Sequence, residues 1–347
     1  MKQIFQNLLD GNLTIEDIPC PQILDNKALI KSDVSLISLG TERMLLEFGK
    51  SGYFNKAKQQ PDKVKQVIEK AKNDGLLATY KSVNSKLKKH IPLGYCNAGS
   101  ILESNISELS IGDRVISNGN HAEIVSVPKN LIAKIPDNVD SESASFTVLG
   151  AIALQGVRLL KPTLGETIVV QGLGLIGLLS IQILKANGCN VIGMDFNSLR
   201  CDLGKLFGAH TIDLSKDDDS LEVTSRLTNS IGVDGVLICT ASTNNDIVHK
   251  ATQMCRKRAR IILVGTAGLK LVRDDFYKKE ISFQVSSSYG PGRYDLNYEE
   301  KANDYPIGFV RWTEQRNFQA ILNLLSQKKL DVGPLISHRF NFDKITQ

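Results

Sequence analysis

A glycine-rich segment carries the residues whose types and spacing are best suited to chemistry. Gly172, Gly174 and Gly177 form a GxGxxG pattern between a β-branched run and an apolar, helix-like stretch. In a strand–turn–helix unit the first glycine permits the turn, the second admits a pyrophosphate, and the third lets the helix pack on the strand. The helix start, at Leu175 and Ile176, would offer backbone N–H groups to the phosphates. The pattern therefore predicts a dinucleotide site.

An acidic residue, Asp195, ends the next short apolar strand, 18 residues after Gly177. A carboxylate at this place can accept hydrogen bonds from a ribose diol and repels a 2′-phosphate. The residue therefore predicts NAD(H), with NADP(H) as the less favoured cofactor. Arg200 follows five residues later, and it either flanks the adenine or ribose or is an ordinary surface arginine.

Two later apolar runs that predict strands end in small or polar residues. The apolar segment 143–157 predicts a single buried helix. After it, apolar runs at 233–239, 259–265 and 281–287 alternate with charged, helix-like segments, which is typical of a doubly wound parallel sheet. Ligands bind such sheets at the carboxyl ends of the strands. We therefore expect the ends of the first two runs to line the cofactor, namely Cys239, Thr240, Gly265 and Thr266.

Composition excludes several classes of protein. The chain has 347 residues, enough for two domains, and its N-terminus lacks the apolar core of a signal peptide. Its net charge of +5 is too small to indicate nucleic-acid binding, and no apolar run is long enough to span a membrane. The six cysteines are scattered without a CxxC pair, which argues against disulfides and structural zinc and fits a reducing cytoplasm.

A lysine-rich segment interrupts the β-rich first part of the chain. Between residues 56 and 90 there are ten lysines against three acidic residues. Part of it, residues 61–72, has a proline start and an apolar stripe that predict a helix. The lysines either form a solvated helix face or attract a phosphorylated or nucleotide-linked substrate.

The order of these parts resembles the medium-chain dehydrogenase/reductase superfamily over essentially the whole chain. Besides the glycine motif, the resemblance rests on the segments 39–42, 94–99, 111–115 and 207–209. It implies an α/β fold with a GroES-like catalytic domain at 1–149, containing a helical insert at 43–90, and a Rossmann domain at 150–288. A return segment at 289–347 is expected to pack on the catalytic domain. Closed dimers are common in this superfamily, although these residues do not fix an oligomeric state.

A narrower resemblance is to a subgroup found with surface-polysaccharide genes. It rests on the insert, the turn at 94–99 and the loop at 288–295. Members of that subgroup often carry a second oxidoreductase module after the part seen here, so the natural chain is expected either to continue past Gln347 or to end there. The same resemblance implies a sugar or nucleotide sugar as the substrate.

The chain departs from the zinc enzymes of this superfamily at the catalytic metal. The places of the three protein ligands hold Leu39, Tyr95 and approximately Leu149. Leucine cannot ligate zinc, and tyrosine is a poor substitute for imidazole. Cys96 offers a single thiol, which does not make a site. We therefore expect no zinc.

Without a metal, side chains must handle the substrate's proton or charge during hydride transfer. The resemblance places Tyr95 in the cleft beside the nicotinamide, where its phenol could act as acid or base; alternatively it only packs under the turn. Thr41 and Glu42 either bind ribose or substrate hydroxyls or stabilise a turn. His121 lies near the cleft in this fold, but a lone histidine is more often structural.

The loop at 288–295 follows the last strand of the predicted sheet. Arg293 could clamp a carboxylate or phosphate, and Tyr289 or Tyr294 could stack on a sugar ring. A subunit contact is the competing interpretation of the same loop. The sequence as a whole predicts an NAD(H)-dependent, zinc-independent oxidoreductase of a sugar or sugar derivative. The alternatives are a quinone or enoyl reductase that uses NADPH, and a non-catalytic dinucleotide-binding module.

Overall fold

The computed structural model describes residues 1–50, 90–216 and 219–345. They form two compact units, one of residues 1–127 with 338–345 and one of residues 128–337. The helix predicted at 61–72, with most of the lysine-rich insert, lies outside the described residues. Along the described ranges no helix combines the length and the apolar character needed to cross a bilayer.

The first unit is built mainly of antiparallel strands. β1, β2 and β4 form one sheet in the order β2-β1-β4, and four other strands run in the order β7-β3-β5-β6. The alternation of apolar and polar residues buries one face of these short strands. The elements are β1 Lys2–Asn7, β2 Leu13–Asp17, β3 Lys27–Ser35, α1 Leu39–Lys50, β4 His90–Pro92, β5 Asn97–Ser104, β6 Arg114–Ser117 and β7 Ile124–Pro128.

The second unit alternates strands with helices. Its strands are β8 Ile132–Lys134, β9 Thr167–Gln171, β10 Asn190–Asp195, β11 His210–Asp213, β12 Val233–Ile238, β13 Cys255–Leu263 and β14 Ser282–Val285. Its helices are α2 Ser141–Ser145, α3 Thr147–Leu160, α4 Leu175–Ala186, α5 Ser198–Leu206, α6 Ser220–Leu227, α7 Asp246–Met254, α8 Arg273–Tyr277, α9 Leu296–Glu299 and α10 Glu314–Ser326.

A six-stranded parallel sheet forms the core of this unit. The order is β11-β10-β9-β12-β13-β14, so the chain moves outward in one direction from β9 to β11 and then returns to the other side of β9. Ile168, Val169 and Val170 of the central strand β9 are fully buried, as expected for a strand covered on both faces. The change of direction between β9 and β12 creates the edge where ligands bind in such sheets. The predicted α/β fold class is confirmed.

Two details differ from the sequence expectations. The single buried helix predicted from residue 143 is two helices, because the chain turns at Phe146 between α2 and α3. The division of the described chain also differs from the predicted boundaries, since residues 128–149 and 289–337 belong to the unit with the parallel sheet. The physical reason is that α10 packs on α3 and on β8, so these segments share one core.

Candidate functional site

The glycine turn after β9 has the geometry that its sequence predicts. Gly172 has φ +89°, and a Cβ there would lie 2.9 Å from the backbone nitrogen of Thr240. A Cβ on Gly177 would lie 1.9 Å from the carbonyl oxygen of Gly172. A Cβ on Gly174, by contrast, would meet no atom within 4 Å. The first and third glycines are thus required by the protein's own packing, whereas the second borders open space.

This open space adjoins the N-terminus of α4. Gly174 precedes the helix in an extended conformation, and no side chain caps the first turn. An α-helix leaves the N–H groups of its first turn without partners inside the helix, and the dipole there attracts anions. Leu175 and Ile176 provide this turn and are half-buried. The arrangement therefore fits the pyrophosphate of a dinucleotide.

Asp195 connects the end of β10 to the glycine turn. Its Oδ2 accepts a hydrogen bond of 2.7 Å from the backbone N–H of Leu173, and its Oδ1 accepts one of 2.9 Å from Asn197. The Nη1 atom of Arg200 lies 3.7 Å from Oδ2. A carboxylate has about four acceptor positions, so Asp195 keeps capacity for ribose hydroxyls while its orientation is fixed by the backbone.

The ends of β12 and β13 meet beside this turn. The N–H of Cys239 donates to the carbonyl oxygen of Gln171 at 2.8 Å, which holds the end of β12 against β9. A Cβ on Gly265 would lie 2.0 Å from the carbonyl oxygen of Thr240, and Thr266 forms an isolated bridge next to it. Cys239, Thr240, Gly265 and Thr266 are thus brought together at the carboxyl edge of the sheet. Burial raises the pKa of the Cys239 thiol to about 12, so that thiol is protonated at neutral pH.

A second group of polar residues lies in the antiparallel unit, around Tyr95. The hydroxyl of Tyr95 donates to Ser38 Oγ at 2.6 Å. Ser38 immediately precedes α1, and its N–H donates to Glu42 Oε1 at 2.8 Å. Glu42 therefore stabilises the start of the helix and fixes the residue that holds Tyr95. The side chain of Thr41 lies outside the described part of the chain.

His121 completes this network. Its Nε2 lies 3.0 Å from Glu42 Oε2, and its Nδ1 lies 2.7 Å from Ser35 Oγ. The side chains of His121 and Glu42 are only 3% and 7% exposed. A Cβ on Gly94, which has φ +90°, would lie 2.6 Å from the histidine ring, so this glycine makes room for it. The geometry favours the turn-stabilising interpretation of Glu42 over a direct contact with cofactor or substrate.

The residues at the expected zinc positions do not fit this metal. Leu149 is buried in the apolar core of α3, and the Tyr95 hydroxyl is directed at Ser38. Across residues 1–50, 90–216 and 219–345, no three His, Cys, Asp or Glu side chains are grouped so that they could hold a metal ion. The donor set of Leu39, Tyr95 and Leu149 lacks the nitrogen, sulfur and carboxylate ligands that zinc requires.

The predicted substrate contacts of the loop after β14 are corrected by the structure. Tyr289 is only 4% exposed, and its ring packs on Phe318 at a centroid distance of 5.4 Å. Arg293 forms a short ion pair with Glu299. Because one side chain is covered and the other is paired internally, neither is presented to a sugar or an anion. Tyr294 remains exposed, with the Arg293 guanidinium 4.2 Å from its ring centroid.

Sequence reasoning missed the partners that organise these groups. Ser35 and Ser38 carry no motif, and the proximity of His121 to Glu42 joins residues 79 positions apart. Glu314, a fully buried carboxyl group beside Glu299, also gave no signal. Each contact depends on tertiary packing, and only the position of Ser38 just before a helix could have been noticed, since serine is a common N-cap.

Comparisons with known proteins support the resemblance. A family model described as "Zinc-binding dehydrogenase" matches residues 176–302. An L-threonine 3-dehydrogenase of Bacillus licheniformis is 26% identical over 351 residues, which cover 99% of this chain and 93% of the relative. A sorbitol dehydrogenase of Halalkalibacterium halodurans is 25% identical over 255 residues, which cover 72% of this chain and 66% of the relative.

A solved structure shows the same fold. The galactitol-1-phosphate dehydrogenase of Escherichia coli superposes with a TM-score of 0.74 at 19% identity, and the match covers 100% of this chain and 94% of that chain. At this identity the likeness concerns the fold alone. It confirms the predicted fold class. The sequence matches confirm the family resemblance and support an oxidoreductase of the pyridine-nucleotide-dependent dehydrogenase type.

Proposed function

We propose that this chain, which is similar to proteins of the medium-chain dehydrogenase/reductase superfamily, is an NAD(H)-dependent oxidoreductase that works without zinc. It transfers a hydride between the nicotinamide and a carbonyl or alcohol carbon of a sugar or sugar derivative. The observation that carries the proposal is the carboxylate of Asp195, fixed against a glycine turn whose second glycine borders open space.

The preference for NAD(H) follows from the position of this carboxylate. The cofactor, when bound, supplies or accepts the hydride. Gly174 and the first turn of α4 would hold its pyrophosphate, and Asp195 would accept hydrogen bonds from the ribose hydroxyls. A 2′-phosphate at the same place would meet the negative charge of Asp195. Arg200 is a cation that could attract a 2′-phosphate and so favour NADP(H). Its guanidinium, however, lies 3.7 Å from the Asp195 carboxylate and is already attracted to it.

The proposal of zinc independence rests on the donor set. Two leucines and a tyrosine stand where the family's zinc enzymes have their ligands. Another group must therefore exchange a proton with the substrate oxygen. We assign this role to Tyr95, because a phenol can donate to a carbonyl oxygen that is being reduced and accept from an alcohol that is being oxidised. Ser38, held by Glu42, fixes the position of the Tyr95 oxygen. In a reduction the Tyr95 O–H would turn from Ser38 to the substrate oxygen.

The proposed substrate class rests on the resemblance and not on a motif. The subgroup found with surface-polysaccharide genes motivates a screen of sugars and nucleotide sugars, and the sorbitol dehydrogenase relative motivates the inclusion of polyols. A role in surface-polysaccharide synthesis is part of the proposal. The reaction direction is left to the assay, since Tyr95 could serve as acid in reduction and as base in oxidation.

Calorimetric titration with NADH and with NADPH, together with metal analysis of the same sample, tests the proposal. We expect tighter binding of NADH and no stoichiometric zinc. A preference for NADPH with activity on an enone would instead indicate a quinone or enoyl reductase. Bound zinc that is needed for turnover would refute the role of Tyr95. Tight NADH binding without turnover on any carbonyl or polyol would indicate a non-catalytic module.

A matched pair of glycine variants locates the cofactor. Gly174→Ala meets no protein atom, so the fold should tolerate it, while its methyl group would occupy the space assigned to the pyrophosphate. Gly308→Ala also meets no protein atom within 4 Å, and it lies in the exposed segment before α10. We expect at least a tenfold loss of NADH affinity in the first variant and none in the second. Equal affinities would place the cofactor elsewhere.

A further inference from the structure

Two arginine side chains stack on one indole in the parallel-sheet unit. The Cζ atom of Arg158, near the end of α3, lies 3.5 Å from the ring centroid of Trp312, and that of Arg311 lies 3.9 Å from it. Both guanidiniums therefore lie against the same indole. We call Arg158, Trp312 and Arg311 the Trp312 stack.

The positive charge of the Trp312 stack has no acidic partner among the described residues. The Nε of Arg158 donates to Asn317 Oδ1 at 2.8 Å, which is a neutral acceptor, and neither Arg158 nor Arg311 takes part in an ion pair within the described ranges. Neighbouring arginines differ in this respect. Arg316 pairs with Asp304, and Arg293 pairs with Glu299.

The pKa of Arg158 also reflects the lack of an acidic partner. Burial, and then the positive charge of Arg311, lower the pKa of Arg158 to about 10. Arg158 is therefore still charged at neutral pH, although it is half-buried and repelled by its neighbour. A buried charge is costly unless it is paired, and stacking on an indole contributes only about 0.5–2 kcal/mol. The arrangement would be stabilised by an anion that reaches both guanidiniums.

We propose that the Trp312 stack binds a small oxyanion, either inorganic phosphate or a phosphate monoester. The four terminal N–H groups of Arg158 have no partner among the described residues, and a guanidinium binds phosphate oxygens through two parallel hydrogen bonds. Arg311 is exposed and stacks on the same indole, so its guanidinium can contribute to the same anion site. The site rests on α3 and on the segment before α10, so it is independent of the dinucleotide site proposed above.

Intrinsic tryptophan fluorescence reports on this site alone, because Trp312 is the only tryptophan in the chain. The full chain is titrated with potassium phosphate, with potassium chloride at matched ionic strength as the reference, while tryptophan fluorescence is recorded. We expect a saturable change with phosphate and none with chloride. Arg311→Gln should weaken the apparent affinity at least tenfold, and Arg158→Gln should do the same.

The control variant is Arg273→Gln. Arg273 stacks on Tyr277 at 3.9 Å and is exposed, so its loss removes the same charge and a similar contact elsewhere on this unit. We expect it to leave phosphate binding unchanged. Arg311→Gln is the decisive variant, because Arg311 is exposed and its removal should not affect folding, whereas Arg158 also contacts Asn317.

Three results would overturn the proposal. The first is a response to phosphate that equals the response to chloride. The second is saturable phosphate binding that survives both Arg311→Gln and Arg158→Gln. The third is saturable binding of a glutamate-rich peptide without any binding of phosphate, which would assign the stack to an acidic protein partner instead of a small molecule.

Discussion

Glu314 should make the stability of the parallel-sheet unit depend on pH in an unusual direction. It is fully buried at the start of α10, and neither carboxyl oxygen has a partner when the group is ionised. Burial, followed by the negative charge of Glu299, raises the pKa of Glu314 to about 9; Arg293 opposes the shift but is already paired with Glu299. The folded protein therefore keeps a proton here that the unfolded chain loses at about pH 4.5.

The sign and size of the effect follow from this difference. Between the unfolded pKa of 4.5 and the folded pKa of about 9, the folded state binds more protons, so the free energy of unfolding falls as pH rises. Each unit of pH lowers the free energy of unfolding by at most about 1.4 kcal/mol. Between pH 4.5 and pH 7.5 the free energy of unfolding therefore falls by about 4 kcal/mol. This value is an upper limit, because an ionised Glu314 could be stabilised by water or by Arg293 after the structure relaxes.

The substitution Glu314→Gln removes this dependence and keeps the shape of the side chain. We expect similar stability at pH 5, and at pH 8 an increase in the free energy of unfolding of about 2–4 kcal/mol relative to the wild type. Urea denaturation followed by the fluorescence of Trp312, two residues away, reports this unit at each pH. Glu222→Gln, on the exposed face of α6, is the control for loss of one charge.

One pattern of results would refute the reasoning. If Glu314→Gln lowers stability equally at every pH, and the slope of stability against pH is unchanged, then Glu314 is ionised and paired in the folded protein. The pair with Glu299 would then have to be stabilised by Arg293, whose Nε is buried without a partner in the described structure.

Three other substitutions test the remaining assignments. Asp195→Ser should weaken NADH binding by about 1.5–3 kcal/mol and shift the preference toward NADPH, because Arg200 is released from its carboxylate; calorimetry with both cofactors checks this, and unchanged selectivity would contradict it. Tyr95→Phe should lower kcat by about 10²- to 10⁴-fold with unchanged NADH affinity; steady-state kinetics and binding separate the two. Lys279→Met removes an ammonium that donates to three backbone carbonyl oxygens at the end of α7, at 2.7–2.9 Å; we expect unfolding by urea to show a loss of about 2–3 kcal/mol, and no loss would mean that water replaces the contacts.

The dinucleotide region was predictable because its residues are close together in the sequence. Gly172, Gly174 and Gly177 lie in one strand–turn–helix unit, and Asp195 ends the next strand. Gly172 and Gly177 meet local steric requirements, and parallel strands of one sheet end at the same edge. Periodicity located the helix after residue 143 but not its interruption at Phe146, since Phe146 is itself apolar and buried.

The other groups could not be predicted, because their character depends on partners far along the chain. From the sequence alone Arg293 could bind an anionic ligand, but in the structure it forms an ion pair with Glu299. Arg158 reaches Asn317 across 159 positions, and the tryptophan on which it stacks lies in the segment just before α10. A sequence shows which side chains can carry charge, whereas burial and pairing decide which charges are available to a ligand.

If the proposed zinc-independent mechanism holds, the network around Tyr95 would supply the rigidity that a metal otherwise provides. In a zinc enzyme the metal fixes its ligands in space. Here the His121–Glu42 pair is almost fully buried, and Glu42 holds the backbone of Ser38, which accepts the hydrogen bond from Tyr95. Leaving one partner of a buried hydrogen bond unsatisfied costs about 1–3 kcal/mol, so this arrangement resists distortion as a unit. The oxygen of a phenol held in this way has a fixed position, which is the property that proton exchange with a bound substrate requires.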